Sequence, residues 1–233
     1  MPVMVNPDDG QEEYIVDRIY EAVLDQRLAP GTKLSEANLC TAFGVGRMRI
    51  RRTLLILASR EVVELQPNRG AYVAQPNAEQ ARAVFEARLL VEPPLIRMAA
   101  QRAKRADIAA LKKNVRLELA AHKEGNRREA IRLSGLFHGA LAQLAGNEVM
   151  LRIVRDLIAR SSLIIGMYGD AGFSNCRDDE HSALVAALSA GDCDLAEKLM
   201  REHLSHIKDH LQLDRHPSGQ QDLVVIFGKN KTK

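Results

Sequence analysis

Tryptophan is absent, and aromatic residues make up only 4% of the 233-residue chain. The apolar mass is instead leucine, alanine, isoleucine and valine, which suits packed helices better than a β-sandwich. Cysteine is almost as scarce. Cys40, Cys176 and Cys193 are odd in number and form no CxxC pair, which points to a reducing cytoplasm rather than a disulfide framework. No apolar run approaches the ~20 residues that a membrane-spanning helix needs. The N-terminus lacks a basic segment followed by an apolar one, so no secretion signal is expected. Strong net charge is missing too. At +3, bulk charge cannot supply affinity for nucleic acid, so any such affinity must come from a local patch.

What is present is ample material for a core. Hydrophobic residues form 46% of the chain and charged residues 27%, enough for one large domain or two modest ones. Residues 1–11 read as a flexible arm with two prolines and a glycine. From Glu12, the spacing of Ile15, Ile19 and Val23 predicts a helix, which Ala29-Pro-Gly31 stops. Ser35 is a good N-cap for a helix over Glu36–Phe43, although Asn38 leaves its capping box incomplete. Gly44-Val-Gly46 is a turn, and a third helix runs from Arg47 to Arg60. Val62–Leu65 and Ala71–Ala74 read as two strands around a Pro67-Asn-Arg-Gly70 hairpin turn. A boundary falls near Gln75-Pro-Asn77. Beyond it, to about residue 212, only helical periodicity appears, with Pro93-Pro94 expected to kink or split one helix. Residues 213–233 form a tail in which Leu223–Phe227 reads as a short strand. The expected fold is therefore mainly α: a winged helix-turn-helix over 12–75, with three helices and a two-stranded hairpin, followed by an all-α bundle over 78–212.

The strongest local signal is basic. Arg47, Arg49, Arg51 and Arg52 crowd the start of the third helix, with no acid before Glu61. Guanidinium groups match the two acceptors of a guanine edge and also reach phosphates. Arg47 and Arg51, four apart, share one face, and Arg49 and Arg52 are expected to flank it toward the phosphate backbones. Asn68, Arg69 and Gly70 at the hairpin tip are expected to form a wing, and Ser35 completes the candidate DNA-binding set.

Leu28-Ala-Pro-Gly-Thr-Lys-Leu-Ser-Glu36, Gly44-Val-Gly-Arg47, Arg51 and Leu65-Gln-Pro-Asn-Arg-Gly70 together resemble the winged helix-turn-helix of the GntR regulators. That family commonly carries Ser-Arg-Thr-Pro-Val-Arg-Glu-Ala-Leu where this chain has Gly46-Arg-Met-Arg-Ile-Arg-Arg-Thr-Leu54. Arg47 and Arg51 match. Arg49 replaces the proline, Arg52 replaces the acid, and Ala37 stands where an arginine is frequent. The two extra arginines imply added phosphate contact and a steeper salt dependence.

A second signal lies in the helical part. His203 sits near the centre of an apolar arc of Ala196, Leu199, Met200, Leu204 and Ile207. His181 is centred among Leu184, Val185 and Leu188, and His138 borders Phe137, Leu141 and Ala145 with Ser134 one turn before it. One imidazole on an apolar stripe reads as a hydrogen-bonded core residue. Three on separate stripes suggest a shared centre suited to Zn, Ni, Mn or Fe. His122 and His216 stand in polar contexts, and His206 and His210 are ambiguous. These segments, with Arg88 and Glu92, resemble the FCD effector domain of the FadR subfamily of GntR regulators. The resemblance implies a bundle of six or seven helices, a metal held by one Asp and three His, and a small carboxylate effector neutralised by arginine. The Asp would fall at position 134, where this chain has Ser134. The implied metal ligands are His138, His181 and His203, and the implied effector site is Arg88, Ser134 and the same three histidines.

The expected function is a cytoplasmic, homodimeric, sequence-specific transcription regulator, a repressor modulated by a small organic acid and not an enzyme. Two alternatives are a metalloenzyme built on the three histidines, with Asp178, Asp179 and Glu180 nearby, and a DNA-binding dimer that answers no effector.

Overall fold

The computed structural model describes residues 9–169 and 180–214. Residues 1–8 of the expected arm, Cys176, Asp178, Asp179, His216 and the expected tail strand lie outside the described residues. The described chain contains helices α1 (Asp9–Leu24), α2 (Glu36–Phe43), α3 (Arg47–Ser59), α4 (Ala78–Arg102), α5 (Arg105–Lys123), α6 (Arg127–Leu144), α7 (Glu148–Tyr168), α8 (Glu180–Ala190) and α9 (Cys193–Asp209). Its strands are β1 (Lys33–Leu34), β2 (Val63–Gln66) and β3 (Gly70–Val73).

Helix α1 starts at Asp9, three residues before its expected start. It buries Ile15, Val16, Ile19, Tyr20 and Val23 against α3 and the sheet. The Ser35 hydroxyl caps α2 by accepting from Asn38 N at 3.4 Å. Helix α3 buries Ile50, Thr53, Leu54 and Leu57, leaving its outer face to the arginines. The sheet has three strands rather than two. In the order β1-β3-β2, Leu34 pairs with Ala71 and Leu65 with Ala71 from the other side, all antiparallel. Two residues are too few to give a period-2 pattern, which is why β1 left no signal in the sequence.

The helical part opens with a full capping box. Asn77 Oδ1 accepts from Gln80 N at 2.8 Å, and Gln80 Oε1 in turn accepts from Asn77 N at 2.9 Å. Helix α4 is continuous through Pro93 and Pro94, so the expected split does not occur. Pro93 has no N–H to offer the Leu89 carbonyl, and the Arg201 guanidinium of α9 stands there instead, at 3.5 Å. Helix α4 packs on α9, α7 and α6, while α5 packs on α6 and α8. Among the described residues, no helix is long and apolar enough to cross a membrane.

Candidate nucleic-acid interface and metal centre

The four arginines of α3 divide into two pairs. At ~100° per residue, positions 47 and 51 fall within ~40° of each other, whereas 49 lies ~160° from both and 52 lies ~140° from 47 and ~100° from 51. Arg47 is exposed and makes no ion pair among the described residues. Arg51 is exposed, and its Nε donates to both carboxylate oxygens of Glu36 at 3.1 Å. Arg49 donates to Gln11, and Arg52 Nη1 lies 3.4 Å from Glu12 Oε1. Arg49 and Arg52 thus both reach α1, Arg52 with its side chain still 65% exposed. At the hairpin tip, Asn68 and Gly70 adopt positive φ of 60° and 94°, the second at a value glycine tolerates best. The turn leaves Arg69 exposed beyond the end of α3.

The histidines converge. His138 of α6, His181 of α8 and His203 of α9 are all buried. Their Nε2 atoms face one another, with His203 Nε2 at 3.2 Å from both His138 Nε2 and His181 Nε2. Each Nδ1 is met by a carboxylate: Glu92 of α4 at 2.5 Å from His138, Glu118 of α5 at 2.7 Å from His181, and Glu180 of α8 at 2.8 Å from His203. A carboxylate at Nδ1 fixes the proton there and leaves the lone pair on Nε2. Burial lowers the His138 pKa against the pull of Glu92, and burial followed by the neighbouring imidazoles lowers His203 well below the ordinary range. Three imidazoles thus turn ring nitrogens toward one point, and these nitrogens all lie within 4.8 Å of one another. The donor set fits a borderline transition metal and needs no ligand from Ser134.

Beside His138 lies a narrow cleft whose free volume, about 20 Å³, is that of a water-sized occupant. Its polar wall includes Arg88, Glu118, His122, Ser134, His138 and Ser162, and its apolar wall Ile131, Ile158 and Ile165. Of the residues expected at the effector site, Arg88, Ser134 and His138 line this cleft, whereas His181 and His203 do not. Arg88 is committed to a buried ion pair with Glu92. Burial raises the Glu92 carboxyl, but Arg88 and then His138 outweigh it and hold the pKa down to about 2. Sequence reasoning missed Glu118 as a partner of His181, and it set His122 aside although His122 reaches the cleft. A signal existed. Leu111, Val115 and Glu118 share one helical stripe, so Glu118 is a polar residue on an apolar face, like the histidines.

A winged helix-turn-helix carrying an open arginine face, joined to a helical bundle with a buried three-imidazole centre beside a cleft, is the architecture of a ligand-modulated DNA-binding transcription regulator. Residues 11–73 match the bacterial regulatory proteins of the gntR family, and residues 83–206, more than half of the chain, match the FCD domain. The chain belongs to the GntR regulators with an FCD domain. It is 24% identical to the HTH-type transcriptional repressor RspR of Escherichia coli K12 over 89% of this chain and 92% of that protein. It is 29% identical to the galactonate operon transcriptional repressor of the same organism, over 81% and 91% respectively. Its fold is that of E. coli McbR/YncC, with a TM-score of 0.74 at 18% identity, covering 84% of this chain and 93% of that one.

Proposed function

We propose that the protein is a homodimeric cytoplasmic repressor whose operator affinity is set by a small organic acid bound in the cleft of the helical domain. Arg47, Arg51 and the Arg69 wing carry the DNA contact, with Ser35, Asn68 and Gly70 shaping the backbone around them. The observation that carries the sensor half is the convergence of three Nε2 lone pairs beside the cleft, each imidazole oriented by its own carboxylate. His138, His181 and His203 are the residues that hold a divalent transition metal. When bound, that ion supplies a Lewis-acidic anchor for the effector carboxylate. The protein's own part is to keep the imidazoles neutral, oriented and dry, and to enclose the rest of the acid between Ser134, Ser162 and the isoleucines.

Two measurements test this reading. Gel-shift titration against operator and random DNA at moderate salt is expected to show sequence preference, and its absence removes the regulator assignment. Metal analysis after purification, followed by chelation, is expected to show a bound transition metal whose removal abolishes the response to small carboxylates. An unchanged response in His203→Ala removes the metal-anchored reading.

A further inference from the structure

The carboxylate of Glu118 is only half used. One oxygen, Oε2, accepts from His181 Nδ1 at 2.7 Å. The other, Oε1, is buried and has no hydrogen-bond partner among the described residues. The Glu118 side chain is 3% exposed, and the residue forms part of the cleft wall. His122 Nε2 stands 4.0 Å from Oε1, beyond hydrogen-bond reach. The cleft's one arginine, Arg88, is already paired with Glu92 and cannot turn to Glu118 without abandoning that partner. A buried carboxylate oxygen without a donor, on a residue that forms part of the cleft wall, is costly, and a donor brought by an occupant of the cleft relieves that cost.

We propose that Glu118 is a specificity-determining residue: the effector is a small acid carrying an O–H or N–H donor away from its carboxylate, and Glu118 Oε1 accepts from it. This rests on the small-acid reading above and adds the second pole of recognition. The carboxylate is drawn to the ion held by the histidines and the donor to Glu118 Oε1, so a plain aliphatic acid leaves Oε1 unsatisfied. Sites that must pair with a ligand hydroxyl discriminate strongly against the analogue that lacks it.

The test uses the metal-loaded full chain and isothermal titration of hexanoate against its 2-, 3-, 4-, 5- and 6-hydroxy and 6-amino derivatives. At least one donor-bearing acid is expected to bind roughly tenfold or more tighter than hexanoate, the size of one hydrogen bond to a buried charge. A gain confined to the hydroxy acids identifies an O–H donor, and one confined to the amino acid an ammonium. Glu118→Gln keeps an acceptor oxygen for His181 but turns an NH₂ to the other side; it weakens a histidine support and so lowers all the acids, and it is also expected to erase the ratio between the donor-bearing acid and hexanoate. Glu180→Gln, which weakens a histidine support outside the cleft wall, is expected to lower all the acids alike and preserve their ratio. Equal binding of hexanoate and every derivative, or a gain that survives Glu118→Gln, overturns the proposal while leaving the small-acid reading standing. Binding of none of these acids overturns both.

Discussion

Each imidazole of the three-histidine centre depends on a residue far away in sequence. His138 is 46 positions from Glu92, and His181 is 63 positions from Glu118. The histidines were legible because one polar residue at the centre of an apolar arc is visible within a single helix. Their carboxylates come from other helices, and only tertiary packing pairs them. The Arg88–Glu92 pair makes the dependence measurable. Arg88→Met strands a buried carboxylate, and the loss of one partner of such a pair costs about 3–5 kcal/mol. Arg88→Met/Glu92→Leu removes both charges and is expected to recover most of that stability in urea unfolding. The same double variant deprives His138 of its orienting carboxylate, so metal affinity is expected to drop about 10- to 100-fold. Stability and metal binding then separate, which distinguishes an orienting pair from a merely structural one.

At the scale of elements, α3 shows what a pattern of residue types leaves undecided. Four arginines in six positions announce a basic helix, and that much is plain in the sequence. Which side each occupies follows from helical rotation, yet a cluster read as a patch conceals it. Arg49 and Arg52 answer α1 through Gln11 and Glu12, tying the start of α3 to the start of α1. The expected measurement is the slope of log K against log salt. Arg47→Ala is expected to shallow it by about one unit, the loss of one phosphate-neutralising charge, whereas Arg49→Ala and Arg52→Ala shift it by less. A full-unit change for Arg49→Ala or Arg52→Ala returns these two to the phosphate-contacting set. The double proline of α4 went astray for a related reason. The local rule that proline interrupts a helix is sound, but it does not see Arg201 arriving from α9 to meet the carbonyl that Pro93 leaves unbonded.

The winged part and the bundle are joined through α7, and here the division into two regions at residues 75–78 understates the molecule. Ala159 and Leu163 of α7 belong to the same buried cluster as Ile15, Val23, Ile50 and Val73. The Tyr20 hydroxyl donates to Asp156 at 2.6 Å, and burial together with that bond pushes its pKa up. Gln26 donates to the Ser162 carbonyl at 3.0 Å, and Ser162 also lines the cleft. Gly135, another cleft residue, lies so close to α1 that an added Cβ would stand 2.9 Å from Leu24. One face of α7 therefore closes the core of the winged part while the adjacent face walls the cleft. The sequence held a hint of this. From Leu157 to Met167, α7 is apolar nearly all round, as a helix buried on more than one side must be. Leu163→Ala, a change within the FCD-matching region, is expected to cost about 2–5 kcal/mol through the cavity it opens. Its signature is placement rather than size. Hydrogen exchange is expected to accelerate in α1 and α3 at least as much as in α5 and α8. Acceleration confined to the bundle would show that the winged part holds its own core without α7 and that the two regions are energetically separate.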